Sequence, residues 1–293
     1  MTHTTRQKVI AIVGPTASGK SAWAVKLAKQ FNGVVISADS RQVYRGLDVA
    51  TAKVSKSEME NIPHYLLDVV KPTEDFDVAT YQGLVYKLLK KVGKNNLPII
   101  AGGTGLYVQA VTDGYIFSTA KPDLKLRAQL EKQPLPKLVQ QLKKLAPELI
   151  IDFQNPRRVI RALEIVRQQG SRPAKQDPGF DTLKIGIKLS REKQDKRIEQ
   201  RIRKMDLQAL AKETEKLIKD RFDFASNPLT ALYYRFAKDW LENKITKAEL
   251  IEKLIRADQQ YAKRQMTWFK KDHQINWVVN YTEAKRLVQQ FLR

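Results

Sequence analysis

The octapeptide GPTASGKS at residues 14–21 constrains this chain more than any other feature of its sequence. It follows the apolar run KVIAIV directly and precedes the helical pattern SAWAVKLAKQF at 21–31, which gives it a strand, loop and helix setting. Its two glycines let backbone N–H groups point at anionic oxygens, and the helix N-terminus adds partial positive charge. The octapeptide therefore predicts a phosphate-binding loop, in which Lys20 reaches the outermost phosphate and the Ser21 hydroxyl binds Mg²⁺.

Three short apolar runs predict a parallel sheet around this loop. The runs KVIAIVG (8–14), GVVISAD (33–39) and LPIIAGG (97–103) are rich in β-branched residues, and each ends in small or polar residues. Helical patterns lie between them at 21–31 and 77–93. This alternation of strands and helices predicts a doubly wound α/β fold with a parallel sheet.

The ends of the two helical patterns carry residues that commonly begin or end helices. Asp77 is placed to cap the N-terminus of the second helix, and Gly93 is placed to end it in the left-handed conformation. Gly33 lies just past the end of the first helix. These residues predict helix boundaries close to the limits of the periodic patterns.

Residues 118–180 differ from the segment before them in their pattern of apolar residues and prolines. Helical patterns there are separated by proline, and no strand-like run occurs. The run LKIGIKL at 183–189 resumes the strand character, and a last strand is predicted at 275–279 in an otherwise helical remainder. The predicted organisation is a P-loop NTPase-like parallel-sheet core over 1–117 and 181–293, with a small all-helical insertion domain over 118–180 and a helical C-terminal region.

The net charge of +22 predicts a polyanionic partner. Lys and Arg outnumber Asp and Glu by 14 to 9 in residues 1–117, by 13 to 6 in residues 118–180 and by 26 to 16 in residues 181–293. Most of the excess therefore lies in the insertion and in the C-terminal part, and we expect the nucleic-acid surface there.

The composition also excludes several classes of protein. The chain has no cysteine, which excludes disulfides, thiolate zinc sites and cysteine nucleophiles and fits a reducing cytosol. No segment approaches the ~20 apolar residues that a membrane span requires. We expect a soluble, cytoplasmic protein with no membrane partner, and nothing in the sequence demands more than a monomer.

Asp39 and Thr104 are the candidate site residues beyond the loop. A nucleotide hydrolase should place an acidic residue after a neighbouring strand to help hold Mg²⁺. The strand at 97–103 is followed instead by Thr104, which disfavours an ATP-driven motor or switch. The acid follows the second strand, as Asp39, at the edge where open α/β sheets bind ligands. A role as a turn or cap residue is the alternative for Asp39.

With these residues in place, the chain resembles the tRNA dimethylallyltransferase family. The resemblance extends in family order over nearly the whole chain, and DSRQVY and GGTGLY are much more specific than the phosphate loop. The matching stretches are GPTASGKS, ISADSRQVYRGLD, TAK, IPHYLLD, PIIAGGTGLY, NPRRVIRALEI and YAKRQMTWF, which begin at residues 14, 36, 51, 62, 98, 155 and 261.

The resemblance implies that the loop holds dimethylallyl diphosphate and not ATP. The allyl group would move to the exocyclic amine of the adenine adjacent to the anticodon in tRNA. Asp39 would then be the base that takes the amine proton, and Thr104 would orient the amine or the diphosphate. Mg²⁺ would bind the leaving diphosphate together with Gly14, Pro15, Thr16, Ala17, Ser18, Gly19, Lys20, Ser21 and Arg235.

The resemblance also implies a set of tRNA contacts. An adenine stacked in a stem-loop has to be extruded before its amine can react. The residues that would hold the adenine, its neighbours and the RNA backbone are Asp39, Ser40, Arg41, Gln42, Thr104, Arg127, Arg157, Arg158, Val159, Ile160, Arg161, Lys263 and Arg264.

Two segments depart from the family pattern. In ALYYRFAKDWLENKI, Tyr233 replaces the glycine of the family's IGYKE or GYRQ segment, and Phe236 follows the basic Arg235. The usual GTAKP becomes ATAKV, with Ala50 and Val54. Three alternatives stay open: an adenylate isopentenyltransferase acting on free nucleotides, a P-loop small-molecule kinase, and a tRNA-binding protein without transferase chemistry.

Three further predictions concern residues outside these sets. The basic helix EKQDKRIEQRIRKM at 192–205 is predicted to be mainly a solvated face, and contact with tRNA is the alternative. Tyr261, Trp268 and Phe269 are predicted to fill core, because their spacing fits one face of a helix, and stacking on the RNA is the alternative. His64 is expected to pack or to form a hydrogen bond, and not to act as a base.

Overall fold

A computed structural model describes residues 6–92, 95–118, 123–149, 151–170, 175–222, 224 and 232–293. The chain divides into two units, of which the first comprises residues 1–112 and 178–293 and the second residues 113–177. No helix in the described part of the chain combines the length and apolar character that a membrane span requires.

The first unit is built on a six-stranded sheet in which all neighbouring strands are parallel. The strand order is β3-β2-β4-β1-β5-β6. This architecture confirms the predicted α/β fold class with its parallel-sheet core. The strands are β1 (Gln7–Val13), β2 (Gly33–Ser37), β3 (His64–Tyr65), β4 (Leu97–Gly102), β5 (Phe180–Ile187) and β6 (Ile275–Val278).

The helices belong to both units. In the second unit they are α4 (Leu124–Glu131), α5 (Leu135–Leu145) and α6 (Pro156–Gln169). In the first unit they are α1 (Lys20–Gln30), α2 (Val78–Val92), α3 (Gly105–Thr112), α7 (Arg191–Arg203), α8 (Leu207–Lys219), α9 (Leu232–Leu241), α10 (Lys247–Phe269) and α11 (Tyr281–Leu292).

The predicted strands are confirmed within a few residues, with one addition. The short edge strand β3, which pairs with β2, has no clear signal in the sequence. Gly33 lies just past the end of α1 and begins β2, as predicted, and a Cβ there would lie 2.8 Å from the Leu97 carbonyl oxygen. The left-handed residue after α1 is Asn32, with φ 49°.

The predicted cap of α2 is also present. The Asp77 carboxylate accepts a hydrogen bond from the Thr80 backbone N–H at 2.8 Å, as an N-cap residue should. Gly93, the predicted end of this helix, lies outside the described residues.

Side chains of β1 alternate between the two faces of the sheet. Val9, Ala11 and Val13 pack with residues of α2 and α3, whereas Ile10 and Ile12 pack with residues of α1 and α11. Both faces of β1 are therefore covered, which explains why VIAIV at residues 9–13 is apolar without interruption.

The register of the central strands brings three loops to one edge of the sheet. Val13 of β1 lies opposite Gly102 of β4, and Ser37 of β2 lies opposite Ala101. The segments that follow β1, β2 and β4 therefore emerge side by side. This edge is the place where open parallel sheets bind their ligands.

The second unit has its own hydrophobic core. This core joins α4, α5 and α6, and its buried side chains include Leu130, Leu138, Leu142 and Leu163. Helix α6 is well delimited, because the Asn155 side chain caps its N-terminus, proline stands at its first position and a left-handed glycine ends it.

Candidate active site

The loop predicted to bind phosphate, called the phosphate loop, lies between β1 and α1, where the sequence places it. Ala17 (φ 56°) and Gly19 (φ 94°) adopt left-handed backbone conformations, which turn the chain sharply before the helix. Ser21 is exposed in the first turn of α1, while Gly14, Pro15, Thr16 and Ser18 are buried. The first N–H groups of α1 have no partner within the helix and so present donors and partial positive charge at the loop.

Three long side chains hold Thr16 in the middle of the loop. The Gln265 side-chain oxygen accepts a hydrogen bond from the Thr16 N–H at 2.7 Å, and the Arg201 guanidinium donates to the Thr16 hydroxyl at 2.9 Å. The Gln194 amide donates to the Thr16 carbonyl. All three hydrogen-bonding groups of Thr16 are therefore engaged by residues more than 170 positions away.

Helix α7 supplies two of these side chains, which corrects the prediction of a mainly solvated face for 192–205. Its inward face carries Gln194, Arg197 and Arg201, and the Arg197 guanidinium donates to the Ser18 carbonyl at 2.9 Å. The spacing of these residues by three and four positions was the available signal. It was not decisive because charged residues occur on every face of this helix.

Arg201 has a second partner that fixes its position. Its guanidinium is paired with the carboxylate of Asp258 from α10, which is almost fully buried. A buried carboxylate needs a charged or hydrogen-bonding partner. Arg201 therefore links α10 to the phosphate loop through α7.

Lys20 is half-buried at the start of α1, and its ammonium donates to the Pro15 carbonyl at 3.3 Å. Burial lowers the pKa of Lys20 to about 8; Asp39 opposes this effect, and Arg201 reinforces it. Lys20 is thus mainly protonated at neutral pH and close to both a carboxylate and a guanidinium.

Asp39 and Thr104 lie at the same sheet edge as the loop. One carboxylate oxygen of Asp39 accepts from the Arg41 N–H at 3.0 Å, so the turn role weighed above for this residue is present. The Thr104 hydroxyl accepts from the Ser40 N–H at 3.0 Å and donates to the Ser40 hydroxyl at 3.2 Å. Thr104 therefore fixes the turn that carries Asp39.

The glycines of GGTG permit close packing around this turn. A Cβ at Gly102 would lie 2.1 Å from the Ala38 carbonyl oxygen, and one at Gly103 would lie 2.2 Å from the Gln265 amide nitrogen. Gln265 also donates to the Gly103 carbonyl at 2.9 Å. Because the same Gln265 side chain accepts from the phosphate loop, it ties that loop to the segment after β4.

Arg41 and Gln42 have different surroundings. The Arg41 guanidinium carbon lies 4.7 Å from the centre of the Tyr261 ring, within the range of a cation–π contact. The Gln42 amide donates to the carbonyls of Thr51 (3.4 Å) and Ala52 (3.2 Å). Gln42 therefore supports the following loop, whereas Arg41 lines the site.

The three aromatic residues of YAKRQMTWF do not share one role. Phe269 is in the core, as predicted, and the Trp268 indole donates to the side chain of Gln109 at 3.0 Å. Tyr261 corrects the core prediction, because it lines a cavity beside Asp39. His64 lies in β3, with its Nδ1 2.8 Å from the Ile62 carbonyl oxygen; burial lowers its pKa.

The cavity beside Asp39 has a volume of about 30 Å³. Its walls come from the phosphate loop, the segments after β2 and helices α7, α9 and α10. They include Thr16, Asp39, Arg41, Arg201, Tyr233 and Tyr261. Residues from sequence-distant elements therefore meet at the predicted site.

The remaining predicted basic residues of the first unit are exposed. Arg235 lies on the exposed side of α9, whereas the guanidinium groups that contact the phosphate loop are those of Arg197 and Arg201. Lys263 and Arg264 are exposed on α10, and Arg264 lies 5.7 Å from the centre of the Tyr261 ring. The diphosphate role of Arg235 stays a prediction.

The arginines predicted to contact tRNA in the second unit divide into two kinds. Arg127 and Arg161 both pair with Glu164, whose side chain is fully buried, at 2.9 and 3.1 Å. Arg157 is exposed on α6, and Arg158 is half-exposed 3.4 Å from Asp152. The first two hold the unit together, while the other two leave their charge at the surface.

Two predicted tRNA contacts in this unit need correction. The side chains of Val159 and Ile160 are buried in the core formed by α4, α5 and α6. They therefore pack the helix and do not offer side chains to RNA. The helical periodicity of NPRRVIRALEI predicts this arrangement, since apolar and basic residues alternate at helical spacing.

The described residues contain no cluster of three or more His, Asp or Glu side chains that could hold a metal ion. The exposed Ser21 hydroxyl beside the helix N-terminus is the donor that fits Mg²⁺ here. Mg²⁺ commonly keeps several waters and binds through substrate phosphates with few protein ligands. The donor set thus fits an ion bound together with a diphosphate, not a separate protein cage.

A model of the family described as IPP transferase matches residues 42–272 of the chain. The chain belongs to this family. Curated relatives named tRNA dimethylallyltransferase are similar over almost their whole length. That of Halothermothrix orenii is 38% identical over 306 residues, with 97% of this chain and 93% of the relative covered. That of Acetivibrio thermocellus is 39% identical over 286 residues, covering 92% and 91%.

Solved structures of family members have the same fold. The tRNA isopentenylpyrophosphate transferase of Bacillus halodurans matches with a TM-score of 0.72 and 36% identity, covering 98% of this chain and 96% of that one. A eukaryotic dimethylallyltransferase acting on tRNA matches with a TM-score of 0.75 and 25% identity, covering 97% of this chain and 77% of that one.

Proposed function

We propose that this protein transfers a dimethylallyl group from dimethylallyl diphosphate to the exocyclic amine of the adenine adjacent to the anticodon in tRNA. The allyl carbon–oxygen bond breaks, a carbon–nitrogen bond forms, and the amine loses one proton. Diphosphate leaves intact, so no phosphate is transferred. Membership of the family and the names of the relatives support this reaction class.

One observation carries the proposal. The loop predicted to bind phosphate, the Asp39 carboxylate and the Thr104 hydroxyl lie at one edge of the sheet, although they follow three different strands. A nucleotide hydrolase would use an acid after a neighbouring strand to hold Mg²⁺ with ATP, whereas Thr104 follows β4. The arrangement suits a diphosphate leaving group beside a general base.

The phosphate loop would bind and stabilise the diphosphate. The Thr16 N–H is engaged by Gln265, so we assign the phosphate contacts to the N–H groups of Ala17 and of the first turn of α1. Lys20 adds a positive charge. Negative charge develops on the diphosphate as the allylic bond breaks, so donors held in place there stabilise the transition state.

Asp39 would accept the proton of the adenine amine. The amine is a weak nucleophile because its lone pair is delocalised into the ring, and a carboxylate that takes its proton assists attack. The turn that includes Asp39 is fixed by Thr104 and by the Arg41 N–H, so the carboxylate has little freedom to rotate. Arg41 and Tyr261 would frame the extruded base.

The RNA surface would consist of exposed basic residues. On α6 these are Arg157 and Arg158, and on α10 they are Lys263 and Arg264. Phosphate contacts of this kind give affinity and orientation without sequence information. Arg127 and Arg161 would contribute mainly by holding α4 and α6 in place, through Glu164.

Mg²⁺ would bind at the Ser21 hydroxyl together with the diphosphate. When bound, the ion would neutralise part of the charge on the leaving group. We further propose that the protein works as a monomer in the cytoplasm; the mass of the protein in solution tests its oligomeric state.

A transfer assay tests the proposed function. The protein is incubated with Mg²⁺, labelled dimethylallyl diphosphate and either unmodified tRNA or AMP. Label should enter tRNA at the adenine next to the anticodon and should not enter AMP. Label in AMP alone would identify an enzyme acting on free nucleotides. ATP turnover without label transfer would identify a kinase, and tRNA binding without either would identify a binding protein.

A further inference from the structure

Tyr233 is a buried residue with an unsatisfied polar atom in the cavity beside Asp39. Its side chain is only 3% exposed and lines that cavity from the first turn of α9. Its hydroxyl group is buried and has no hydrogen-bond partner among the described residues. Buried tyrosine hydroxyls normally find a partner, since leaving one unpaired costs free energy.

The charges around Tyr233 indicate what kind of partner would fit. Arg201 and Arg41 lie close enough to affect its ionisation, and Thr16 of the phosphate loop lies in the same cavity wall. The two carboxylates of the cavity are already engaged, Asp258 by Arg201 and Asp39 by the Arg41 N–H. Lys20 lies near both Asp39 and Arg201, so the cations around the cavity outnumber these carboxylates by three to two, and the phosphate loop adds N–H donors. This balance favours an anion over a neutral ligand.

The phenol would act as a donor at neutral pH. Burial raises the pKa of Tyr233 to about 12, although Arg201 and Arg41 lower it. Its proton is therefore retained throughout the physiological range. A neutral O–H donor completes a phosphate site without adding another charge.

We propose that Tyr233 is a diphosphate-binding residue, whose hydroxyl donates a hydrogen bond to a phosphate oxygen of the dimethylallyl diphosphate held by the loop. This inference rests on the proposed function for the identity of the ligand. It concerns this chain in particular, because the glycine that the family pattern has at this position offers no side-chain donor.

Inorganic pyrophosphate with Mg²⁺ is the probe that separates binding from chemistry. Its dissociation constant is measured by calorimetry for the wild type, for Tyr233→Phe and for the control Tyr81→Phe. Tyr81 is also fully buried with an unpartnered hydroxyl and is close enough to Asp39 to be affected by its charge, but it stacks on Tyr107 in the core and lines no part of this cavity. Both variants keep the aromatic ring and so preserve packing.

We expect Tyr233→Phe to weaken pyrophosphate binding by about tenfold, the effect of losing one hydrogen bond to a charged group. Its melting temperature should stay equal or rise, because the lost hydroxyl has no partner in the unliganded protein. Tyr81→Phe should leave pyrophosphate binding unchanged. In transfer assays Tyr233→Phe should raise the KM for dimethylallyl diphosphate and leave tRNA affinity unchanged.

Equal pyrophosphate affinity of wild type and Tyr233→Phe would overturn the inference, as would a wild type that does not bind pyrophosphate. An equal loss in Tyr81→Phe would also overturn it, since the effect would then come from the core. If the wild type binds pyrophosphate through Tyr233 but transfers no allyl group to tRNA, the proposed function fails while the Tyr233 site stands.

Discussion

The phosphate loop of the first unit and the arginine-rich helix α6 of the second hold their charged groups in opposite ways. The loop takes its guanidinium groups from elsewhere, because Arg197 and Arg201 reach it from α7. The guanidinium groups of α6 belong to the helix itself. That of Arg161 pairs with the buried Glu164, and those of Arg157 and Arg158 are at the surface. The basic residues that reach the phosphate loop shape a candidate ligand site. Those of α6 either stabilise the second unit or are exposed where they can bind a partner.

The contrast shows that the role of a basic residue depends on the groups with which its side chain pairs. Arg201 pairs with Asp258 and still reaches the loop. Arg127 pairs with Glu164 through two hydrogen bonds, and only about a third of its side chain is exposed to solvent. The four predictions below test these assignments, beginning with the largest effect.

Asp39→Asn should lower the turnover number for allyl transfer by about 10²–10⁴-fold, the usual contribution of a general base. Asparagine has the same size and can still accept from the Arg41 N–H, so the turn should survive. Affinity for tRNA should stay within a few-fold, measured by filter binding. A parallel loss of affinity and turnover would show that Asp39 mainly positions the RNA.

Arg201→Lys should weaken pyrophosphate binding by about tenfold or more, because a lysine cannot contact Thr16 and Asp258 together as the guanidinium fork does. The matched control is Arg203→Lys on the same helix, whose guanidinium pairs with exposed Glu199 at 2.8 Å. The control should bind pyrophosphate as the wild type does. Equal behaviour of the two variants would remove Arg201 from the site.

Arg127→Ala and Arg157→Ala should separate stability from RNA binding in the second unit. Arg127→Ala removes a partner of buried Glu164 and should lower the free energy of unfolding by about 2 kcal/mol. Arg157→Ala should change stability by less than about 0.5 kcal/mol.

Salt titrations of tRNA binding complete this comparison. Arg157→Ala should reduce the salt slope by about one, as the loss of one phosphate contact does. Denaturant unfolding and the titration together check both variants. A stable Arg127→Ala protein, or an unchanged slope for Arg157→Ala, would contradict the division of roles.

The smallest predicted effect is a pH dependence of the phosphate loop. The pKa of Lys20 is about 8, so its ammonium loses its proton as the pH rises from 7 to 9. Pyrophosphate affinity should fall over this range relative to Lys20→Arg, whose charge persists. Because the probe's own ionisation affects both proteins, their ratio isolates Lys20. A constant ratio would contradict the lowered pKa.

Much of the fold and part of the site could be predicted from the sequence. Apolar runs bounded by small residues located five of the six strands, and the motif located the loop. The edge strand β3 was missed because it consists of only two residues, His64 and Tyr65, which are too few to show the alternation of a strand. The positions of Asp39 and Thr104 beside the phosphate loop could be predicted because parallel strands end at one edge, while their roles stay predictions.

The supporting side chains could not be predicted in the same way. Gln194, Arg201 and Gln265 reach Thr16 only through the packing of α7 and α10, and a single sequence does not give that packing. Val159 and Ile160 were misassigned because a matching motif was carried over as a unit, although its helical period places these two inside. The sequence shows only that Tyr233 departs from the family pattern. That its hydroxyl is buried without a partner could be seen only in the structure.

The central claim is that the phosphate loop holds a leaving group and transfers no phosphate. Dimethylallyl diphosphate carrying ¹⁴C in the allyl group and ³²P in the diphosphate tests it directly. With tRNA and Mg²⁺, the ¹⁴C should enter tRNA, and the ³²P that is released should be pyrophosphate, one molecule for each allyl group transferred. Transfer of ³²P to tRNA, or release of pyrophosphate without ¹⁴C transfer, would contradict the account.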